Sequence, residues 1–328
     1  MTEPMALFSL DDLGRAHDVV ARYVPRTPSY AWPILATRFG ARVVVKHENH
    51  TPTGAFKVRG GLVYLDRLVR ERPEVPGIIS ATRGNHGQSL AYAGRAAGKR
   101  VVIVVPDGNS PAKNAAMEGF GAELVEYGAD FQEAREHAVE LAGDLGLEPV
   151  PPFHLDLVTG VATYASELFD DAGPLDVVYV PVGMGSGICG LITVRDLLGL
   201  PTEIVGVVSD RAPATALSFD VGRAVTTDHA DTFVDGVATR SPDPAAIEII
   251  CRGAARIVRV DEDTAAEAMR LMIESTRQLV EPAGAMGLAG LLVEGPGRAR
   301  SIGAVLSGGN ADSAQVVEVL QGRTPHPG

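Results

Sequence analysis

Short apolar runs alternate with longer amphipathic segments along most of the chain. The runs are rich in Val and Ile, which is typical of strands buried on both faces of a parallel sheet. We predict strands at 42–46, 77–80, 100–105, 122–126, 176–180, 203–208 and 301–306. Ser9 with Asp12 forms a capping-box pattern and Asp261 precedes the segment through Leu279, so both places predict a helix start. The alternation predicts an α/β fold with two open, twisted, mostly parallel sheets flanked by helices.

The middle of the chain predicts a separate small unit. The stretch 77–150 contains three of the predicted strands with helical segments between them, and prolines at 149, 151 and 152 lie around its end. Prolines interrupt regular structure, so a boundary is expected there. We predict a small mobile substrate-carboxylate-binding domain at 77–150, inserted into a larger cofactor-binding domain formed by 1–76 and 151–328.

Length and charge restrict the class of protein. A chain of 328 residues has room for about two packed units. Its formal charge of −12 repels the phosphates of nucleic acids, so we expect no nucleic-acid partner. Cys189 and Cys251 are too far apart for a zinc motif or a disulfide framework. Neither a targeting signal nor an apolar stretch of about 20 residues is present, so we expect no membrane partner and a cytoplasmic location.

Residues that could bind a ligand or act in catalysis are found in four segments that lie at or near the ends of predicted strands. They are 51–61, 82–87, 182–187 and 307–310. In open α/β sheets, ligands bind outside the carboxyl ends of the strands, where the following helices offer free backbone N–H groups. We therefore expect the four segments to form one site.

The first segment contains Lys57, which follows Phe56 in a stretch too rich in Gly and Thr to predict a helix interior. Partial burial beside an aromatic ring would lower the pKa of the amine and suit it to Schiff-base formation. A solvated surface lysine is the alternative. His47 and His50 lie three residues apart at a strand end, so we predict that they face opposite sides and are structural rather than metal ligands.

The segment Gly183–Gly187 follows a predicted strand and precedes a predicted helix. Its small residues would let backbone N–H groups approach one phosphate, with Ser186 adding a hydroxyl. A tight turn without a ligand explains the same sequence.

Two other segments have similar alternatives. Asn85 and His86 begin a predicted helix after Thr82, an arrangement that can bind a carboxylate; simple N-capping by Asn85 is the other interpretation. Ser307 and Glu281 could bind a ligand or serve as ordinary turn residues.

In this order, the segments resemble the fold-type II pyridoxal-phosphate enzymes, which share the tryptophan synthase β-like fold, and specifically the threonine/serine dehydratase and serine racemase group. The resemblance runs from about Leu10 to Asp312. It implies pyridoxal 5'-phosphate as cofactor, Lys57 as its Schiff-base residue and catalytic base, Asn85 near the ring hydroxyl and Ser307 near the pyridine nitrogen. The implied cofactor-binding residues are Phe56, Lys57, Asn85, Gly183, Met184, Gly185, Ser186, Gly187, Glu281 and Ser307. The implied substrate-binding residues are Thr82, Arg83, Gly84, Asn85, His86 and Arg135.

The resemblance implies a dehydratase that eliminates water from a threonine- or serine-type amino acid, giving a 2-oxo acid and ammonia. The partner is then a small amino acid, and relatives suggest a homodimer. A β-replacement enzyme uses the same residues and stays open as an alternative. A non-catalytic pyridoxal-phosphate-binding protein and a nucleotide-binding α/β protein are weaker alternatives.

Two positions depart from the family pattern. Arg83 stands where dehydratases of this group carry a small residue and racemases carry a serine; arginine shuttles protons poorly, so racemisation is not expected. Its guanidinium could instead bind an acidic substrate such as 3-hydroxyaspartate, or could point out of the site. After the strand at 203–208, Asp210 is the only acid and is out of register with the family's cation ligand, so we predict no metal site. Arg135 could equally form an ion pair on a helix surface.

Overall fold

A computed structural model of the chain describes residues 7–129 and 131–327. The strands are β1 (Ser29–Ala31), β2 (Arg42–His47), β3 (Gly77–Ala81), β4 (Arg100–Val105), β5 (Glu123–Glu126), β6 (Glu148–Pro149), β7 (Val177–Pro181), β8 (Glu203–Ser209), β9 (Arg256–Val260) and β10 (Ser301–Leu306). The helices are α1 (Leu10–Val20), α2 (Pro33–Phe39), α3 (Lys57–Glu71), α4 (Asn85–Ala97), α5 (Pro111–Gly119), α6 (Phe131–Leu145), α7 (Leu155–Ala172), α8 (Ser186–Leu197), α9 (Ala214–Val221), α10 (Pro244–Gly253), α11 (Glu262–Thr276), α12 (Pro282–Glu294) and α13 (Ser313–Leu320). Short 3₁₀ turns occur at Glu48–His50 and Asp235–Val237.

Within the described residues the strands form two sheets. The larger sheet has the order β1-β2-β10-β7-β8-β9, and only its edge strand β1 runs antiparallel to its neighbour. The smaller sheet has the order β5-β4-β3-β6 and is parallel. Its strands all lie between residues 77 and 149. The predicted α/β class with mostly parallel sheets is confirmed, while the boundaries of an inserted domain stay a prediction.

All the predicted strands are present, with ends within one residue of the predicted ones. The strands β1, β6 and β9 were not predicted from the sequence. The first two are too short to show a periodic pattern, with three and two residues. In β9, arginines at 256 and 259 interrupt the apolar run, because this strand lies at the edge of the larger sheet. Edge strands tolerate charged residues that central strands exclude.

Helices cover both faces of each sheet, as the apolar strands require. One buried cluster joins the larger sheet to α7, α8 and α10, and a second joins its other face to α11 and α12. The smaller sheet packs against α3 and α4 on one face and against α6 on the other. Both predicted helix starts are confirmed: Ser9 and Asp12 form a capping box, and the Asp261 side chain caps α11.

The prediction for the stretch after Lys57 was wrong in one respect. The residues 58–61 are helical, because α3 begins at Lys57 and continues through the two glycines. A Cβ at Gly60 would lie 2.6 Å from the carbonyl oxygen of Leu157 in α7. The glycines therefore allow two helix backbones to approach closely, and they do not mark a loop.

The prediction that His47 and His50 face opposite sides was also wrong. The strand β2 ends at His47, and the 3₁₀ turn that follows returns His50 to the same side, with 5.5 Å between the ring centroids. Trp32 donates a hydrogen bond from its indole nitrogen to Nε2 of His47 (3.0 Å). In the part of the chain that the structure describes, no helix is long and apolar enough to cross a membrane.

Candidate active site

The four segments with candidate chemistry meet at the carboxyl ends of the strands. The backbone N–H of Phe56 donates to the carbonyl oxygen of Ser307 (3.0 Å), beside an isolated β-bridge between Ala55 and Gly308. The Lys57 amine lies 3.2 Å from the Ser186 hydroxyl. The remaining segment joins through Asn85, as described below. The expected convergence of the segments is therefore present.

Lys57 is the first residue of α3, where the preceding β-bridge fixes the direction of the chain. Its Nζ lies 5.2 Å from the centroid of the Phe56 ring. Burial lowers the pKa of the amine to about 8, because the charged form loses its hydration. Near neutral pH part of the amine is then uncharged and can act as a nucleophile or a base.

The glycine loop connects β7 to α8. Gly185 has a φ of 98°, in the left-handed region that favours glycine, and Ser186 then begins the helix. The first turn of a helix presents backbone N–H groups without internal partners, so an anion can bind there. The side chain of Ser186 is buried and faces Lys57.

The other residues of this loop are fixed by their neighbours. The carbonyl oxygen of Gly236 would lie 2.5 Å from a Cβ at Gly183, which excludes larger residues there. The carbonyl oxygen of Gly187 accepts a hydrogen bond from the Tyr164 hydroxyl (3.0 Å). Met184 places its sulfur 3.9 Å from the Thr239 hydroxyl.

Asn85 lies at the centre of a hydrogen-bond network. Its Nδ2 donates to both carboxylate oxygens of Glu281 (2.8 and 3.0 Å), and its Oδ1 accepts from Nδ2 of Asn310 (2.8 Å). The alternative that Asn85 is a simple N-cap is wrong, because Gly84 occupies the N-cap position of α4. Asn310 also donates to the carbonyl oxygen of Thr53, which ties this network to the lysine segment (2.8 Å).

Glu281 is buried at the start of α12. Burial and, after it, the charge of Asp235 raise the pKa of its carboxyl to about 7 against the opposing effects of Asn85 and Lys113. The residue therefore changes its protonation near neutral pH, next to the Lys57 segment. The sequence suggested Glu281 only as a candidate; its titration comes from the tertiary structure.

The loop between β3 and α4 has the features of a carboxylate site. The Thr82 hydroxyl accepts a hydrogen bond from the backbone N–H of Gly84 (3.2 Å) and can still donate its own proton. Nε2 of His86 is buried and has no hydrogen-bond partner among the described residues. Burial and the nearby charge of Lys57 lower the pKa of His86 to about 3, so its ring is neutral.

The two arginines predicted near the substrate have different surroundings. Arg83 is exposed in the loop before α4, and in the described part of the chain no carboxylate lies within 4.0 Å of its guanidinium. Arg135 is exposed on α6. Asp210 is also exposed, and the described residues contain no cluster of three or more potential metal ligands.

A buried charge network lies behind the lysine segment and was not predicted from the sequence. The Arg59 guanidinium binds Glu48 (2.7 Å) and Glu167 (2.7 Å), and Glu167 also binds Lys46 (2.7 Å). All four side chains are almost completely buried. Two positive and two negative groups neutralise one another, which makes their burial tolerable. The network anchors the start of α3 two residues from Lys57.

Two further missed residues are Lys113 in α5 and Asp235, which form an ion pair between that helix and the 3₁₀ turn at Asp235–Val237. No local sequence signal relates them, since they are 122 residues apart.

These residues fit the cofactor that the sequence suggests. The Lys57 amine is available for covalent attachment, and the loop Gly183–Gly187 offers backbone N–H groups to a phosphate. The unpaired Nε2 of His86 and the Asn85 and Ser307 side chains supply polar atoms for a heterocycle or a substrate. The site therefore contains an amine, an anion cradle and polar groups suited to an aromatic ring that carries a phosphate.

Comparison with known proteins agrees with this assignment. The chain is 30% identical over 320 residues to L-threo-3-hydroxyaspartate ammonia-lyase of Pseudomonas sp, covering 97% of this chain and 100% of that protein. It is 31% identical over 292 residues to L-threonine dehydratase biosynthetic IlvA of Haemophilus influenzae, covering 87% of this chain. The chain spans 56% of the length of that second relative.

The fold also matches that of solved structures. The crystal structure of a threonine deaminase from T.th. superimposes with a TM-score of 0.87 at 32% identity, covering 93% of this chain and 99% of that one. The fold class and the family resemblance predicted from the sequence are confirmed. Since the model of the pyridoxal-phosphate dependent enzymes matches residues 20–308, the chain belongs to that family, and its cofactor is pyridoxal phosphate.

Proposed function

We propose that this protein is an ammonia-lyase that removes water from a β-hydroxy amino acid of the threonine or serine type. The observation that carries the proposal is the buried Lys57 amine, with a pKa lowered to about 8, beside the glycine loop. The names of the relatives, both of them ammonia-lyases or dehydratases, support the same reaction.

The further expectation of a homodimer comes from the resemblance and is tested by light scattering.

In the proposed reaction, bound pyridoxal phosphate supplies an electron sink that makes the Cα proton of the amino acid acidic. The loop Thr82–Gly87 binds and orients the substrate carboxylate through its backbone N–H groups and the Thr82 hydroxyl. The uncharged amine of Lys57 accepts the Cα proton. The Cβ–O bond then breaks, and the hydroxyl leaves with its electron pair and takes the proton that Lys57 had accepted, which gives water and restores the uncharged amine. The resulting enamino acid tautomerises and is hydrolysed to a 2-oxo acid and ammonia.

A second candidate substrate is an acidic β-hydroxy amino acid such as 3-hydroxyaspartate. The observation that favours it is Arg83, an exposed cation beside the carboxylate loop without an ion-pair partner within the described residues. A guanidinium binds a carboxylate through two parallel hydrogen bonds. One relative, whose match covers 97% of this chain, is named for this substrate.

The test measures 2-oxo acid and ammonia from L-serine, L-threonine, L-threo-3-hydroxyaspartate, phosphothreonine and phenylserine. Equal amounts of the two products from any substrate, and none from Lys57→Ala, are the expected result. Borohydride should abolish the visible band of the cofactor and leave the cofactor attached to the chain as a reduced secondary amine in the wild type only. Release of neither product from any of the five substrates, with cofactor bound, would overturn the proposal and direct attention to β-replacement with thiol co-substrates.

The role of Arg83 is tested by Arg83→Ala, with Arg95→Ala at the exposed far end of α4 as the matched control. Loss of a bidentate contact should lower kcat/KM for 3-hydroxyaspartate by about 10- to 100-fold and leave that for threonine within about twofold. Equal effects on both substrates would remove Arg83 as the source of specificity.

A further inference from the structure

The helix α5 lies between strands of the smaller sheet in the chain, and its N-terminus forms a hydrogen bond and ion pairs with residues between or after strands of the larger sheet. Ser110 caps this helix, and its hydroxyl donates to Oδ1 of Asp312 (2.6 Å). One turn later the Lys113 amine binds Asp235 and lies 3.9 Å from Oδ2 of Asp312. We call these four residues, Ser110, Lys113, Asp235 and Asp312, the α5 clasp.

The clasp is held by a charged and mostly buried lysine. The side chain of Lys113 is 13% exposed. Burial lowers the pKa of its amine, but the charges of Asp235 and Asp312 outweigh burial, so the net shift is upward and the amine stays protonated. Its partners Asp235 and Asp312 are 42% and 34% exposed, so the carboxylate side of the ion pair is in contact with solvent and salt should weaken the pair in part.

The stem of Lys113 lies against the loop that binds the substrate carboxylate in the proposed function. A Cβ at Gly84 would lie 3.1 Å from Cδ of Lys113. Gly84 is the N-cap of α4, and Asn85 follows it directly. The lysine therefore covers the turn from which the backbone N–H groups of α4 point, and glycine leaves the room that the stem needs.

The acidic partners of Lys113 belong to loops that contact the cofactor side of the site. Asp235 precedes Gly236, whose carbonyl oxygen packs against Gly183 of the glycine loop. Asp312 follows Asn310, which donates a hydrogen bond to Asn85 (2.8 Å). The clasp thus relates the carboxylate loop of one sheet to the cofactor loops of the other.

We propose that Lys113 is a positioning residue, which holds the loop Thr82–Gly87 in its carboxylate-binding conformation by pairing with Asp235 and Asp312. The inference rests on the proposed function, because that function assigns the substrate carboxylate to this loop. Lys113 itself acts through the loop and takes no part in the chemistry. Loss of its charge should therefore weaken substrate binding more than it slows the reaction of bound substrate.

The experiment compares Lys113→Met, which keeps the stem without the charge, with Lys113→Arg, which keeps the charge, in the holoenzyme. Lys113→Met should raise KM about tenfold and leave kcat within about threefold of the wild type, while Lys113→Arg restores most of the affinity. Asp235→Asn, in which the side chain keeps nearly the same shape, should also raise KM. This variant replaces Lys113→Met in the comparison if Lys113→Met does not fold. Glu123→Gln, which breaks an exposed ion pair within the smaller sheet, is the control.

A second measurement follows hydrogen exchange of the amides at 82–87 and 112–119 in the same holoenzymes. Faster exchange at both segments in Lys113→Met, but not in Glu123→Gln, supports the clasp even if no tested amino acid is turned over. Exchange and KM both unchanged in Lys113→Met and Asp235→Asn would overturn it. An inactive wild type whose loop exchange still depends on Lys113 would refute the proposed function alone.

Discussion

Replacing Glu281 with glutamine should remove a loss of stability that the wild type shows as the pH rises. The carboxyl is 5% exposed, and burial followed by the charge of Asp235 raises its pKa from 4.5 to about 7. Between these two pH values the folded protein retains a proton that the unfolded chain has released. The contribution of this carboxyl to the free energy of unfolding is therefore complete below pH 4.5 and is lost as the pH rises through about 7.

The size of the effect follows from the two pKa values. Their difference of about 2.5 corresponds to about 3 kcal/mol in the free energy of unfolding. Unfolding entropy of about 2.1 cal/mol/K per residue gives about 0.7 kcal/mol/K for this chain. The full titration should therefore change the melting temperature by about 5 °C, of which about 4 °C falls between pH 5 and pH 8.

The assay is calorimetry of the wild type and Glu281→Gln after removal of the cofactor with hydroxylamine, so that the chain supplies the charges near this carboxyl. The melting temperature of the variant minus that of the wild type should rise by about 4 °C from pH 5 to pH 8. Glu123→Gln, at an exposed carboxyl whose pKa Arg100 lowers, should show no such rise. A difference that stays flat for Glu281→Gln across this range would refute the reasoning, since it would mean that the buried carboxyl titrates at its ordinary pKa.

Three further substitutions test the packing around the site, each by urea unfolding. Arg59→Met should destabilise the protein by about 3–5 kcal/mol, because it leaves the two buried glutamates with one lysine between them. Gly308→Ala should cost about 1–3 kcal/mol, because the new Cβ would overlap Oε1 of Glu281. Tyr164→Phe should cost about 1 kcal/mol, because it removes the hydrogen bond to the carbonyl oxygen of Gly187.

Matched control variants distinguish the loss of a specific contact from the general effect of replacing a glycine with alanine or a tyrosine with phenylalanine. Gly14 lies in α1, and a Cβ at this position would have no atom within 4 Å, so Gly14→Ala should be neutral or stabilising. Tyr23 is 38% exposed, so Tyr23→Phe should change the free energy of unfolding by less than about 0.5 kcal/mol. Equal losses in the control and the test variant of either pair would contradict the proposed contacts.

The strands were predictable because burial on both faces of a sheet requires a continuous run of Val and Ile, such as the one in β4, and this run is visible in the local sequence. The candidate loops were predictable because strand ends in parallel sheets converge. Tertiary ion pairs leave no such trace: Lys113 pairs with Asp235, and Arg59 with Glu167, over separations of 122 and 108 residues. The glycines of α3 misled the prediction because close packing of two helices favours the same residue as a loop.

The four helices that begin at the site have one feature in common, which is the absence of a side-chain cap at the N-terminus. The residues before α3, α4, α8 and α12 are Phe56, Gly84, Gly185 and Glu281, and in these described residues none forms a side-chain cap hydrogen bond. By contrast, α1 and α11, which begin away from the four segments, are capped by Ser9 and Asp261, whereas α2, α9 and α13 have no side-chain cap either. A missing cap costs a helix about 1 kcal/mol.

This loss of helix stability is offset where a bound ligand accepts the hydrogen bonds that a capping side chain would otherwise accept. Asn85 and Glu281 are residue types that accept hydrogen bonds well, yet their side chains bind each other across 196 residues and leave the first turns of their helices unpaired. Backbone N–H groups left unpaired in this way can donate to a phosphate or a carboxylate. Local stability is thus lowered at these helix starts, which is expected of a binding site. Bound phosphate and substrate should therefore stabilise α4 and α8 more than helices with side-chain caps, a difference that hydrogen exchange of the holoenzyme can measure helix by helix.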